Sequence, residues 1–385
     1  MTRPQEKELA RRLYSGIDDA ISGLSYSPSG TIINLDPHNG SYRLEKTTQF
    51  WGGFMLGRGW LLGDLYGEPK FIERLVSCTG ALSELMDIRS VDTGFAGYFG
   101  LALGYELTAD AEMRDRALTG AKRLAELFAP DARVFLTLHP EGEPRLSDSA
   151  ITSVFCKREL LIDTAAVLDL LWWASRWVPE YRGLLVEHYK RTLDLGMVEE
   201  SGRTHHALYF APDGAAGRLH THQGAGEDSR WTRAHGWAAI GFATAYGQTG
   251  LNEFREAAVR AASYFVKELG SRIVPPFDLD SASTNVPEDS CTTAIVLAAI
   301  ERMRAFGIEV PSEVMSFSER ALDGLLDHYL TPGGTLLHGC WGAIGDGPVD
   351  GVLPYGNYYL AEAVYRRISP DSHIWGLPSD SAVSS

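Results

Sequence analysis

A short pattern recurs along this chain: a turn, an acidic residue, then an aromatic or methionine that opens an amphipathic helix. It occurs in LYGEPKFIERL at Phe71, LTADAEMRDRAL at Met113, WVPEYRGLL at Tyr181 and QTGLNEFREAA at Phe254. Acidic residues suit a helix N-terminus, whose unpaired N–H groups carry partial positive charge. Apolar residues recur every three or four positions in LARRLYSGIDDAI, FIERLVSCTGALSELM, MRDRALTGAKRLAELF, AAVLDLLWWASRWV, FREAAVRAASYFVKEL and TTAIVLAAIERM. Each recurrence therefore reads as the entry to the second helix of a hairpin. At roughly sixty residues per hairpin, 385 residues hold about six, and six hairpins can close into a ring.

Period-two runs are few, and VFLTLH and GTLLHG are the best candidates for short strands. No linker divides the chain, so residues 1–368 are expected to form one domain and 369–385 a loosely attached, flexible tail. Long segments rich in Gly, Asp and Ser, Asp213 to Ser229, Pro275 to Ser290 and Thr331 to Tyr355, lie between the helical blocks. Loops of this length on a helical body usually carry function.

The formal charge of −15 argues against a nucleic-acid groove and against a long sulfated polymer as partner. Small substrates fit better. The opening MTRPQEKELARRLYSG lacks the apolar core of a signal peptide, and no later segment is long and apolar enough to span a bilayer, which predicts a cytoplasmic protein without a membrane partner. Cys78, Cys156, Cys291 and Cys340 are scattered with no CxxC pair, so buried thiols are expected rather than a zinc ribbon or a disulfide framework. No GxGxxG, Walker loop or GxSxG elbow is present.

Chemistry concentrates in HQGAGEDSRWTRAHGW, His222 to Trp237, which gathers Gln223, Trp231, Arg233, His235 and Trp237. Indoles stack on sugar rings and a guanidinium forks onto a carboxylate, so the window suits a sugar acid; tryptophans in a helix core and a surface arginine are the bland alternative. Asp163, in ELLIDTAAVLDLLWWA, is either a helix cap or a carboxyl whose apolar setting raises its pKa toward that of a proton donor. Asp92, in SVDTGFAGYFGLALGY, is a turn or cap residue or the second member of an acid/base pair, and Gly94 and Gly97 allow close backbone approach of a ligand or another helix. The pairs His205/His206 and His220/His222 invite a metal reading, but no HExxH or supporting carboxylate spacing accompanies them, so hydrogen-bonding to sugar hydroxyls is the expected role and no metal is expected.

Taken in order, these residues resemble the unsaturated glucuronyl hydrolases, glycoside hydrolase family eighty-eight, from roughly Trp51 to Tyr359. VDTGF is similar to the family's Asp-x-Gly-Phe segment and LLIDTAAVLDLLWWAS to its Ile-Asp-Thr/Asn segment. WGGF at Trp51, FDLDSASTNVPEDSCTTAI from Phe277 and LPYGNYYLAEAVYR from Leu353 extend the match. The resemblance implies an all-α (α/α)6 barrel, catalytic roles for Asp163 and Asp92, and substrate contacts from Trp51, His205, Gln223, Trp231, Arg233 and Trp237. It also implies hydration of a Δ4,5-unsaturated uronic acid, removed from a small oligosaccharide or glycoside, without metal or organic cofactor. Val91 before Asp92, Ala234 and His235 in place of Gly-Gln, and Asn357 in place of an aspartate depart from the family pattern. Two other readings stay open: a sugar epimerase or isomerase using His205 and His235 as proton shuttles, and a non-catalytic carbohydrate-binding barrel.

Overall fold

The structure is a computed structural model describing residues 3–23, 32–36, 38, 42–45, 50–137, 158–281, 285–342, 349–372 and 374–375. Helices alternate between an outer and an inner position. The outer set is α1 (Arg3–Gly23), α3 (Pro69–Cys78), α6 (Ala111–Ala125), α9 (Tyr181–Asp194), α11 (Asn252–Leu269) and α13 (Ser312–His328). The inner set is α2 (Trp51–Tyr66), a rod of α4 (Asp92–Phe95), a π-helical stretch (Ala96–Ala102) and α5 (Leu103–Thr108), a second rod of α7 (Thr164–Val167) and α8 (Asp169–Ala174), then α10 (Arg233–Thr249), α12 (Ser290–Ala305) and α14 (Pro354–Ile368). The repeated turn–acid–aromatic pattern marks outer helices in all four places. Phe71, Met113 and Phe254 are buried there against the inner ring, and Tyr181 is half-buried.

Closure of the ring follows from glycine. A Cβ added to Gly53 of α2 would lie 2.5 Å from Ala96 Cα, and one on Gly94 would lie 2.3 Å from Val167 Cγ1. The series continues with Gly241 of α10, 2.5 Å from the Ala165 backbone, and Gly236, 3.0 Å from Ile295 Cγ2. It ends with Gly356 of α14, 2.4 Å from Cys291 Sγ, and Gly57 of α2, 2.9 Å from Tyr358 Cε2. Every pair of neighbouring inner rods thus meets at a missing side chain, and the last meets the first: the fold is an (α/α)6 barrel. Register rises in step along these contacts, Gly53 and Gly57 against Ala96 and Phe99, Gly94 and Gly97 against Val167 and Leu170. The rods are therefore parallel, and their N-termini share one end.

Glycine lowers helix propensity by about 1 kcal/mol relative to alanine, so these inner helices are weak on local grounds and depend on ring packing. That is why α2 and α14 carry no clear helical signature in the sequence. Extended structure is limited. β1 (Ile32–Leu35) pairs with β2 (Tyr42–Glu45), and β3 (Phe128–Ala129) with β4 (Val134–Phe135), both antiparallel. β5 (Glu159–Leu161), β6 (Ala207–Phe210) and β7 (Ala216–His220) form a three-stranded antiparallel sheet.

The strand expected in VFLTLH shrinks to β4, its last residues lying outside those described, and GTLLHG makes only isolated bridges, Leu330 with Leu336 and Gly339 with Gly351. The expected tail starts on the body: Ile374 and Trp375 are buried, Tyr98 Oη donates to the Trp375 carbonyl at 2.9 Å, and Arg366 lies 3.7 Å over the Trp375 ring. Residues 376–385 fall outside the described residues, as does Cys156. Cys78, Cys291 and Cys340 are buried thiols, as expected. Among the described residues no helix is long and apolar enough to cross a membrane.

Two glycine substitutions should move stability in opposite directions. Gly241→Ala drives its methyl into the backbone of Ala165, and overpacking of this kind costs about 1–3 kcal/mol. Gly183→Ala, on the exposed face of α9 with nothing within 4 Å, should stabilise by about 0.5–1 kcal/mol. Urea midpoints that shifted the same way would contradict this account of the ring.

Candidate active site

Asp163 leaves β5 and precedes the first residue of α7. Its backbone is already helical and its side chain makes no capping hydrogen bond, so the carboxylate is directed elsewhere and the cap reading fails. Asp92 is the first residue of α4, its N–H donating to Ser90 Oγ at 3.2 Å. Because Gly94 and Val167 touch, the helices opened by the two aspartates start side by side at the same end of the ring.

The resemblance assigns a substrate contact to His205, whereas the structure sets its neighbour His206 against Asp163. His205 Nε2 lies 2.9 Å from Glu199 Oε1 at the half-exposed edge of the turn, paired there rather than with either aspartate. His206 is buried, with Nε2 3.5 Å from Asp163 Oδ2. Its tautomer follows from its partners. Thr221 Oγ1 accepts from the N–H groups of Gln223 and Gly224, leaving its hydroxyl proton for His206 Nδ1 at 3.0 Å, and the His222 N–H also points to Nδ1 at 3.3 Å. Nδ1 is therefore an acceptor, and the ring proton sits on Nε2, facing Asp163. Burial, with His222, His220 and Arg233 nearby, holds His206 well below the usual imidazole range, so it is a neutral donor.

About a fifth of the Asp163 side chain remains exposed, but its Oδ2 is sealed and, among the described residues, has no hydrogen-bond partner closer than this imidazole. Burial pushes the carboxyl up to about 7; Arg233 works against the shift and Glu159 adds to it. A carboxyl that holds its proton near neutrality at a half-open position is suited to general acid chemistry.

Arg233 does fork onto a carboxylate, but onto one of the chain's own. Nε donates to Asp289 Oδ2 at 3.0 Å and Nη2 lies 2.9 Å from the same oxygen. Nη1 donates to Gln223 Oε1 at 3.4 Å and to the Trp341 carbonyl at 3.3 Å, and Nη2 also donates to the Cys340 carbonyl. Asp289 in turn accepts from Thr292 Oγ1 at 2.7 Å and from the Cys340 N–H at 3.2 Å. Arg233 is a brace, tying α10 to the start of α12 and to the 340–342 loop, and it positions Gln223.

The tryptophans of the same window are core. Trp231 lies between the Arg233 guanidinium, 5.0 Å from its ring, and the His206 imidazole, 4.4 Å away. Trp237 packs among Phe95, Tyr355 and Tyr359. At 1% and 3% exposure neither offers a stacking face, so the bland reading holds for both indoles. Half-exposed aromatic surface occurs instead at Phe50, Trp51 and Trp341, whose rings lie 5.3–6.4 Å apart. Trp51 was a candidate; Trp341 and Phe50 had no distinguishing sequence signal.

His235 donates through Nδ1 to the Thr232 carbonyl at 3.2 Å, accepts at Nε2 from the Thr204 N–H at 3.3 Å, and stacks on Tyr264. Burial holds it down at about 4. Both nitrogens are committed and the ring is sealed, which removes the proton shuttle that the epimerase reading required. Asn357 uses its amide on both sides, accepting from the Leu336 N–H at 2.9 Å and donating to the Leu353 carbonyl at 3.1 Å. An aspartate could not make the second bond. No carboxylate stands at a telling sequence spacing from the histidines, but the fold supplies one: Glu159 lies against His220 and His222, and these three form a buried cluster of metal-ligating atoms.

No family model matches the chain. It is similar to the unsaturated glucuronyl hydrolase of Bacillus sp. (strain GL1), 26% identical over 344 residues, covering 87% of this chain and 85% of that protein. It is similar also to the unsaturated chondroitin disaccharide hydrolase of Streptococcus pneumoniae (strain ATCC BAA-255 / R6), 24% identical over 341 residues, 84% and 83% covered. Among solved structures, unsaturated glucuronyl hydrolase from Streptococcus agalactiae superposes with a TM-score of 0.83 at 20% identity, covering 97% of this chain and 94% of that one.

Arg233→Lys keeps the charge but cannot reproduce the planar fork. Donors are withdrawn from Asp289, Gln223 and two carbonyls, and a buried acceptor left without its partner costs about 1–3 kcal/mol. The variant should lose stability of that order in urea denaturation. Unchanged stability would show that the brace carries no weight.

Proposed function

We propose that this chain is an unsaturated glucuronyl hydrolase, a glycoside hydrolase that removes a Δ4,5-unsaturated uronic acid from a small oligosaccharide or glycoside by hydrating the vinyl ether. The observation that carries the reading is the Asp163 carboxyl, held protonated near neutrality beside a neutral histidine donor and a buried arginine. The likeness of the chain to the Bacillus and Streptococcus hydrolases supplies the substrate class.

Asp163 gives its proton to C4 of the unsaturated sugar, and positive charge develops at C5 and the ring oxygen. The carboxylate left behind faces the Nε2–H of His206 and the field of Arg233, both of which favour its ionised form. Asp163 or Asp92 then directs water to C5. The resulting hemiketal opens, expels the leaving group from C1 and gives a 4-deoxy-5-keto uronic acid. All of this occurs where the N-termini of the inner helices converge, which favours a sugar acid's negative charge. The half-exposed rings of Trp51 and Trp341 are suited to the apolar face of a sugar.

Asp163→Asn keeps the shape and removes the transferable proton. Turnover of unsaturated disaccharides, followed by loss of enol-ether absorbance, should fall by about a hundred- to ten-thousandfold. Near-normal turnover in the folded variant would remove Asp163 from the acid role. In the wild type the acid must be protonated, so kcat/KM should decline as pH rises through about 7, well above the range of an ordinary carboxyl.

Isotopes separate hydration from direct hydrolysis. In heavy water the product should gain deuterium at C4, and in oxygen-18 water the early label should appear at C5. Saturated glucuronides should be poor substrates. Cleavage of a saturated glucuronide with oxygen incorporated at C1 would overturn the hydration mechanism even if both aspartates were essential.

A further inference from the structure

The histidines of LHTH alternate along an extended segment, so His220 and His222 point to the same side. In the three-stranded sheet His220 lies opposite Ala207, and Glu159 lies opposite Tyr209, two residues further along the same strand. Cross-strand partners share a face, which gathers Glu159, Tyr209, His220 and His222 on one side, while Leu160, Leu208 and Leu219 occupy the other. Glu159 Oε1 lies 2.6 Å from His220 Nε2 and 2.6 Å from His222 Nε2, and the two nitrogens are 3.2 Å apart. All three side chains are buried, Glu159 fully.

The contacts among the described residues set the orientation of this cluster. His220 Nδ1 lies 3.2 Å from the Arg218 carbonyl, which can only accept, so Nδ1 carries the proton. In the neutral ring the Nε2 lone pair then points at the Glu159 oxygen. A carboxylate oxygen and a lone pair at 2.6 Å are reconciled by a cation between or beside them, a proton on Nε2 or a metal ion. The other carboxylate oxygen, Oε2, is buried and has no hydrogen-bond partner among the described residues. Tyr209 stacks on His220 at 3.9 Å and fixes its plane, and the Nδ1–H to carbonyl bond is the outer contact that orients a metal-binding histidine.

We propose that Glu159, His220 and His222 form a site for one divalent transition-metal ion of the zinc class. Two imidazoles and a carboxylate are a ligand set that zinc accepts, with a position left for water. At bond lengths of about 2.0–2.1 Å, tetrahedral ligand atoms lie roughly 3.3 Å apart. The two nitrogens already have that spacing, and the carboxylate needs only to rotate outward. The ion would clip β5 to β7, the two strands whose ends lead to Asp163 and to the window starting at His222. The site is independent of the hydrolase reading, because it is defined by metal binding and not by turnover.

The test is titration of chelator-treated, full-length protein with cobalt(II) chloride. One equivalent should bind and give the visible absorption of a low-coordinate cobalt site, zinc chloride should displace it, and zinc should raise the melting temperature, since an ion held only by the folded chain stabilises it. Glu159→Gln and His222→Gln, checked for folding by circular dichroism, should each bind about a hundredfold more weakly or not at all. His205→Gln, at the surface pair with Glu199, should bind like the wild type. Failure of the wild-type protein to take up stoichiometric cobalt or zinc would overturn the proposal without reference to any variant. So would unchanged cobalt binding in folded Glu159→Gln and His222→Gln.

Discussion

The barrel is held at its centre by one buried guanidinium. Arg302 of α12 donates through Nε and Nη2 to the two oxygens of Glu362 on α14, at 2.6 and 3.0 Å, and through Nη1 to Asp169 on α8 and Thr244 on α10, at 2.6 and 2.8 Å. Arg366 adds a second cation on Glu362 at 2.8 Å. Two cations and two anions balance inside the ring, which is the condition for burying any of them: an ion removed from water without its partner costs several kcal/mol. Burial alone would neutralise these groups. Instead Asp169 and Glu362 hold Arg302 well above its ordinary value, and Glu362, gripped by both arginines, sits below the usual carboxylate range, whereas at Asp169 burial outweighs Arg302 and raises the carboxyl. Four of the six inner rods are fixed by this one side chain.

Fixing the rods far from their N-termini leaves the N-terminal end available for function. There a second buried pair, Arg233 with Asp289, repeats the same device with a different result. It joins α10 to the start of α12, and its remaining donors hold Gln223 and the 340–342 loop. The positive charge reaches Asp163 as a field, without a direct bond, and only partly offsets the effect of burial. The acid's unusual proton affinity is thus set by its burial at the closed ring, and the brace moderates it.

The repeated helix entries at Phe71, Met113, Tyr181 and Phe254 were legible because outer helices face water on one side and the ring on the other, and amphipathicity is written in spacing. The inner helices face protein on all sides. α2 and α14 read as apolar, glycine-rich stretches whose helical state is decided by neighbours that approach where side chains are missing. The short sheet from β5 to β7 was missed for a related reason, since its strands are three to five residues long and lie far apart in sequence.

By itself the sequence determined the hairpin count, the position of Asp163 and Asp92 at the mouths of apolar helices, and the order of motifs that resembles a hydrolase family. These are local or colinear properties, carried by residues close together along the chain. Tertiary structure decided that His206 and not His205 faces Asp163, because adjacent residues of an extended segment point to opposite sides. It also decided that Arg233 meets Asp289, 56 residues away, and that Trp231 and Trp237 are core while Trp341 is half-exposed. Glu159 reaches His220 across 61 residues by the pairing of three strands. Partners so distant along the chain are selected by which surfaces the closed ring leaves available, and no spacing rule within one segment encodes that choice.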